Sequence, residues 1–156
     1  MASVTVTVQQ DVMADRRRLA AELREEFSRK GTLVVNIVSS PGAGKTSLLQ
    51  AMARHWNGRF RIATLVGDIA TERDAERLRP LMPAEQLTTG GACHLEIPVV
   101  RSGLDRLGNG PLDLLFLENI GNLVCPASWD LGEHLRVVLL SSTEGDDKPA
   151  KYPKMF

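Results

Sequence analysis

The sequence is short of cysteine, of net charge and of long apolar runs, and each shortage removes a class of protein. Only Cys93 and Cys125 occur in 156 residues. A domain of that length buries roughly 70% of its unfolded surface and needs no disulfide staple, so both thiols are expected to be free. The 19 Lys and Arg are balanced by 19 Asp and Glu, which removes the electrostatic case for a nucleic-acid partner. The longest apolar runs, such as LVV at 33–35 and LLFL at 114–117, fall far below the roughly 20 residues of a membrane span. The opening MASVTVTVQQD has no basic region leading into an apolar stretch, so no secretory signal is expected. There is no repeat and no low-complexity linker. Free thiols in an unexported chain imply a reducing compartment, and the expectation is a soluble, cytoplasmic protein with no nucleic acid or membrane as partner.

Two parts follow one another along the chain. Residues 3–8, SVTVTV, alternate as an edge strand or an extended arm would, and six residues do not decide between these. From Asp11 to Lys30, Val12, Leu19, Leu23 and Phe27 share one face among many charges, which predicts an amphipathic helix ended by Gly31. Residues 1–30 are therefore read as an N-terminal arm and helix, and 31–156 as the main domain. In the latter, strand and helix alternate. LVVNIVS (33–39), RIATLVG (61–67), LDLLFLE (112–118) and LRVVLLSS (135–142) are the short apolar runs of strands buried on both faces, with a weaker strand at 85–88. Leu48, Leu49, Met52, Ala53 and Trp56 predict a helix over 45–57, and 71–78 a short charged one. Pro98 suits a first helical turn, continued by Val99, Val100, Gly103, Leu104 and Leu107. The expected fold is α/β, a doubly wound and mostly parallel sheet.

SSPGAGKTS, residues 39–47, lies between the first buried strand and the first helix. Gly42 and Gly44 allow successive N–H groups to turn toward phosphate oxygens, and the helix start adds its positive dipole end. Pro41, Gly42, Ala43, Gly44, Lys45, Thr46 and Ser47 are thus the candidate nucleotide-binding residues of a P-loop NTPase. Lys45 would reach the β- and γ-phosphates, and the Thr46 hydroxyl would ligate Mg²⁺. The full pattern asks for glycine at position 39, where serine stands; a backbone angle costly for serine there would count against the loop. The competing reading is a glycine-rich turn that only caps a helix. Asp68 and Glu118 each end a predicted strand at the carboxyl edge, where α/β sheets bind ligands. Both are candidate catalytic residues and Mg²⁺ ligands with Thr46, unless each merely caps or solvates a loop. Gly121, three residues past Glu118, would present its N–H to a γ-phosphate.

Cys93 and His94 are adjacent in TTGGACHLE, ahead of a predicted helix start that favours the thiolate. Cys125, in GNLVCPA, follows the Glu118 loop, so both segments leave the same sheet edge. Two thiolates and an imidazole form a soft donor set suited to Zn²⁺ or Ni²⁺. A tetrahedron then lacks one ligand, to be supplied by water, another side chain or a second subunit. The spacing matches no CxxC or HxxxH pattern, and the competing reading is two small buried hydrophobes. The other histidines, His55 at a helix end and His134 in a loop, are given no role.

SSPGAGKTSLL, GDIATERDAERL, TTGGACHLE, ENIGNLVCPASWDLGE and TEGDDKPAKYPKMF, in that order from about Leu33 to Phe156, together resemble the hydrogenase nickel incorporation family HypB. That family belongs to the dimeric P-loop GTPases that deliver metals. The related urease accessory GTPases are similar at the phosphate loop but use a Cys-Pro-His metal motif and have nothing like ENIGNLVCP. The resemblance implies GTP hydrolysis with Mg²⁺ near Asp68 and Glu118, and slow turnover because no activated general base is evident. It implies a Ni²⁺ or Zn²⁺ site on Cys93, His94 and Cys125 across a GTP-dependent homodimer interface. Nickel would pass to the hydrogenase large subunit or an accessory maturation protein. Lys148 and Lys151 fall in the DKPxKYP segment, where they approach phosphates or sit in a solvated loop.

The chain also departs from that family. Residues 1–30 contain no Cys and no His, so the second, N-terminal nickel site of some members is not expected. No Asn-Lys-x-Asp motif occurs. The C-terminal part of the G domain, with its base-reading strand, is therefore expected to be missing, and guanine specificity rests on the resemblance alone. The last predicted strand would then keep an exposed apolar edge. The alternative functions are a metal-binding module without competent guanine-specific hydrolysis and an ATP-using P-loop enzyme.

Overall fold

The β-branched runs form strands whose two faces are both covered. The computed structural model describes residues 2–68 and 72–156. Its strands are β1 (Leu33–Ser39), β2 (Ile62–Asp68), β3 (Ala84–Thr88), β4 (Leu114–Glu118) and β5 (Leu135–Leu139). They form one five-stranded sheet in the order β3-β2-β4-β1-β5, and every pairing is parallel. Parallel neighbours need crossovers, and these are α2 (Lys45–His55), α3 (Arg73–Leu78) and α4 (Ile97–Leu107).

Alternate residues point to opposite faces, so adjacent strand positions enter different cores. Val34, Leu65, Leu115 and Leu117 pack with Ala20, Leu23 and Phe27 of the first helix and with Ile97 and Val100 of α4. Val35, Ile37, Val66 and Phe116 pack on the other face against Leu49 and Ala53 of α2 and Ala75 and Leu78 of α3. Helices on both faces make the sheet doubly wound, as expected. At one point the layers meet very closely. A Cβ on Gly103 of α4 would lie 2.9 Å from Leu65 Cδ2 and press harder still on Leu87, so glycine here is a packing requirement.

Residues 3–8 are not a strand or an extended arm. The first helix, α1, runs from Ala2 to Arg29. The sheet offers this segment no pairing partner, and β-branched residues cost a helix only a few tenths of a kcal/mol each, so the helix extends through them. Of its predicted apolar face, Leu23 and Phe27 are buried, Leu19 is half-buried and Val12 is exposed. Gly31, at φ 68°, ends α1 with the amides of Thr32 and Gly31 returning to Phe27 O and Ser28 O.

His134 turns out to fasten α1 to the sheet. Its Nδ1 accepts the Val34 amide at 3.0 Å and its Nε2 meets Ser28 Oγ at 2.9 Å. Nearby, Arg24 donates to Asp130 Oδ1 at 2.5 Å and to Glu133 O at 2.9 Å. No helix among the described residues is long and apolar enough to cross a membrane.

Candidate nucleotide and metal site

The strand order puts β4 between β1 and β2, so Glu118 emerges between the ends of the strands carrying Ser39 and Asp68. The register confirms it: Glu118 lies opposite Ile37 of β1 and Val66 of β2. After β1 the chain turns through Gly42 at φ 73° and Gly44 at φ 101°, and Gly44 is the N-cap of α2. No atom lies within 4 Å of a Cβ built on either. Glycine is needed there for its left-handed backbone and not for space.

Ser39 does not carry the strain that its place in the loop pattern raised. Among the described residues no non-glycine has a positive φ, and Ser39 is simply the buried last residue of β1. Its Oγ donates to Ser40 O at 2.7 Å and accepts Lys45 Nζ at 2.9 Å. Lys45 is itself buried. Burial lowers its pKa, opposed by the charges of Glu118, Asp74, Asp68 and Glu144. Carboxylates from four parts of the chain thus favour the charged lysine against its burial.

Thr46 donates its hydroxyl to Glu118 Oε1 at 2.6 Å. Glu118 is buried, and burial pushes its carboxyl up to about 7, with Thr46, Lys45 and Arg77 pulling the other way and Asp74 adding to the rise. Its second oxygen, Oε2, is buried with no hydrogen-bond partner. An orphaned carboxylate oxygen beside a hydroxyl is a hard-oxygen donor set, and it fits Mg²⁺. Asp68 ends β2 half-buried, with its charge felt at Lys45. Gly121 packs directly on the phosphate loop: a Cβ there would stand 2.8 Å from Pro41 Cα. Ala43 closes the turn through its amide to Ser40 O at 3.4 Å, and Ser47 Oγ accepts Arg77 Nη2 at 3.3 Å. Lys151, in the helical turn Lys148–Lys151, is paired with Asp147 at 2.8 Å at the exposed surface, and Lys148 lies 5.8 Å from the Tyr152 ring centroid.

The expectation of two free thiols is corrected. Cys93 and Cys125 are joined as a disulfide across 32 residues, with Cα atoms 6.2 Å apart, and among the described residues no cysteine is free. The cause is the shared sheet edge: Cys93 follows β3 and Cys125 follows β4. Asn122 draws the two segments together. Its Oδ1 accepts the amides of Val124 at 2.8 Å and Cys125 at 3.3 Å, and its Nδ2 donates to Cys93 O at 3.5 Å.

His94 Nδ1 lies 3.8 Å from Cys93 Sγ. Metal–sulfur and metal–nitrogen bonds of tetrahedral zinc place two such ligand atoms about 3.5 Å apart. The pair is thus spaced as ligands of one ion, and the donor set fits Ni²⁺ or Zn²⁺ once the disulfide is reduced. In the oxidised form both sulfurs are consumed, and among the described residues no three His, Cys, Asp or Glu side chains form a metal cage. His94 Nε2 lies 3.1 Å from Glu96 Oε1, and its ring stacks on Trp129 at 4.0 Å and 16°.

Several residues of this edge escaped sequence reasoning. Asp74 and Arg77 sit three apart on a charged helix, a spacing that shows a shared face but not its direction. Glu96 lies two residues past His94. Trp129 left no signal, because its partners His94 and Arg16 are distant in sequence. Asn122 also reaches far back to Cys93, while Glu144 caps its own turn through the Ser141 amide.

A glycine-turned loop between β1 and α2, whose lysine and threonine meet the carboxylate ending β4, defines a P-loop nucleotide-binding protein. The family model for the CobW/HypB/UreG nucleotide-binding domain matches residues 33–142, and the chain belongs to that family. The hydrogenase maturation factor HypB of Azotobacter vinelandii is 48% identical over 150 residues, covering 96% of this chain and 50% of that protein. HypB of Escherichia coli K12 is 47% identical over 153 residues, covering 96% and 52%. The chain thus spans about half the length of the curated relatives it matches. Among solved structures, HypB from Helicobacter pylori in complex with nickel superposes with a TM-score of 0.85 at 44% identity, covering 90% of this chain and 67% of that one. HypB from Archaeoglobus fulgidus gives 0.82 at 39%, covering 91% and 70%. Fold class and family therefore agree with the sequence expectation.

Proposed function

We propose that this chain is the nucleotide- and metal-binding part of a GTP-dependent nickel metallochaperone for hydrogenase maturation, acting in the cytoplasm as a homodimer. Residues 31–156 form the G domain, and α1 is an added helix packed on it. The observation that carries the reading is the pair Gly121–Asn122. Gly121 touches Pro41 of the phosphate loop, and the next side chain holds the backbones of Cys93 and Cys125. A change at the γ-phosphate therefore has a two-residue route to the thiols.

In this reading the amides of Gly42 to Ser47 cradle the phosphates, and Lys45 leaves Ser39 to neutralise the β- and γ-phosphates. Thr46, Asp68 and Glu118 would hold Mg²⁺, which when bound supplies charge neutralisation of the transferred phosphoryl group. Water attacks the γ-phosphorus as the bond to the β-phosphate oxygen breaks. Turnover is expected to be slow, with the water positioned by backbone and metal. The cargo, Ni²⁺ with Zn²⁺ as its competitor, is held by Cys93, His94 and Cys125. The second subunit completes its ligand sphere, and hydrolysis releases nickel to the hydrogenase large subunit or an accessory maturation protein.

The test is Ni²⁺ titration of the reduced chain with GDP and with a non-hydrolysable GTP analogue, read alongside dimerisation. Affinities that differ with nucleotide support the reading, and equal affinities remove the coupling.

A further inference from the structure

We propose that Glu96 and Trp129 are positioning residues that present Nδ1 of His94, and not Nε2, to the sulfurs of Cys93 and Cys125. The inference rests on the metal reading above and adds which atom binds and what holds it there.

A carboxylate only accepts hydrogen bonds, so the Glu96 Oε1 contact at 3.1 Å requires the proton of a neutral imidazole to sit on Nε2. Nδ1 is then left with its lone pair, on the side where Cys93 Sγ stands 3.8 Å away. Glu96 is the N-cap residue of α4, with extended backbone at φ −128° and ψ 156°, yet its side chain makes no capping bond. An acidic side chain at a helix start ordinarily turns to the free amides. Here it turns to the imidazole instead.

Glu96 alone selects which nitrogen faces the sulfurs but leaves the ring free to tilt. Trp129 removes that freedom, since its indole lies 4.0 Å from the imidazole and 16° from parallel. The indole is in turn backed by the Arg16 guanidinium of α1, 4.0 Å from its ring centroid. Ring plane and ring flip are thus set by different residues. Metal-binding histidines are generally oriented by a carboxylate on the second nitrogen, and removing that partner costs about 10–100-fold in metal affinity.

The experiment uses the full reduced chain as wild type, Glu96→Gln, Glu96→Ala and Trp129→Ala. Long-range proton–nitrogen NMR of His94 is recorded without metal, followed by titration with Ni²⁺ alone, read by thiolate-to-nickel absorption. The expected result is the Nε2–H tautomer in wild type and in Glu96→Gln, which keeps an acceptor oxygen. Glu96→Ala gives mixed tautomers and roughly 10–100-fold weaker nickel binding. Trp129→Ala keeps the tautomer but weakens binding and shifts the absorption band. Wild-type tautomer and affinity in Glu96→Ala would overturn the proposal. If the wild type shows no thiolate-to-nickel band, the metal reading fails, while the tautomer comparison still decides whether Glu96 orients the ring.

Discussion

Thr46 Oγ1 and Glu118 Oε1 meet at 2.6 Å although 72 residues separate them. Their bond joins the start of α2 to the end of β4, the two points from which a P-loop protein addresses its nucleotide. The two groups satisfy each other, and the remaining carboxylate oxygen is buried with no hydrogen-bond partner. The arrangement stores an electrostatic cost that a bound cation would relieve.

That cost has a pH signature. The Glu118 carboxyl sits at about 7 against an ordinary 4.5, so the folded chain holds a proton that the unfolded chain has released. The group's contribution to stability is fully present below about 4.5 and is lost as pH rises through about 7, a change on the order of 3 kcal/mol. Urea unfolding of the nucleotide- and Mg²⁺-free chain at pH 5 and pH 8 checks this. Glu118→Gln should gain on wild type between those values, and a pH-independent difference would contradict the assignment.

Gly121→Ala should damage nucleotide binding without touching any charged group. Its Cβ would lie 2.8 Å from Pro41 Cα and 3.0 Å from Pro41 N, and backbone cannot swing aside as a side-chain tip does. We expect about 1–3 kcal/mol of lost stability and at least a tenfold loss of affinity for a labelled guanosine nucleotide. Equilibrium fluorescence titration measures the second.

Reduction should exchange stability for metal binding. Closing a loop across 32 residues stabilises the chain by roughly 3–4 kcal/mol on chain-entropy grounds. The melting temperature is therefore expected to fall when reductant is added, as thiol titration rises from none to two per chain. Stoichiometric Ni²⁺ uptake should accompany the thiols and be absent from the oxidised chain.

Asn122→Ala should separate the two sites. With its contacts to Cys93 and Cys125 removed, nucleotide affinity should stay near wild type. The difference in Ni²⁺ affinity between GDP and a GTP analogue should shrink toward none. Parallel titrations of variant and wild type give that difference directly.

What could be read from the sequence was local. Val34 to Val38 announce a strand buried on both faces, and the GKT triplet announces a phosphate loop, because in each case the cause lies in neighbouring residues. Residues 3–8 misled for the same reason: alternation is a local pattern, and only the absence of a pairing strand decides against it. The cysteines were expected to be free on grounds of length, whereas their pairing follows from a sheet order that brings the ends of β3 and β4 to one edge. Spacing alone said little for Cys93, His94 and Cys125, and family resemblance drew them together. Asn122 and Trp129 stayed hidden because Cys93 and His94, which they meet, lie on a distant segment. Glu96 did because nothing in a sequence says that a carboxylate turns to the imidazole two residues before it.

Helix α1 has 28 residues, about 42 Å of rod, and among the described side chains its clasps to the domain include Arg16, Arg24 and Ser28. Residues 9–15, ahead of Arg16, are exposed. Through Arg16 the helix reaches the indole on which the His94 ring is stacked, so guanidinium, indole and imidazole form one continuous pile from the N-terminal helix to the sulfur-bearing edge.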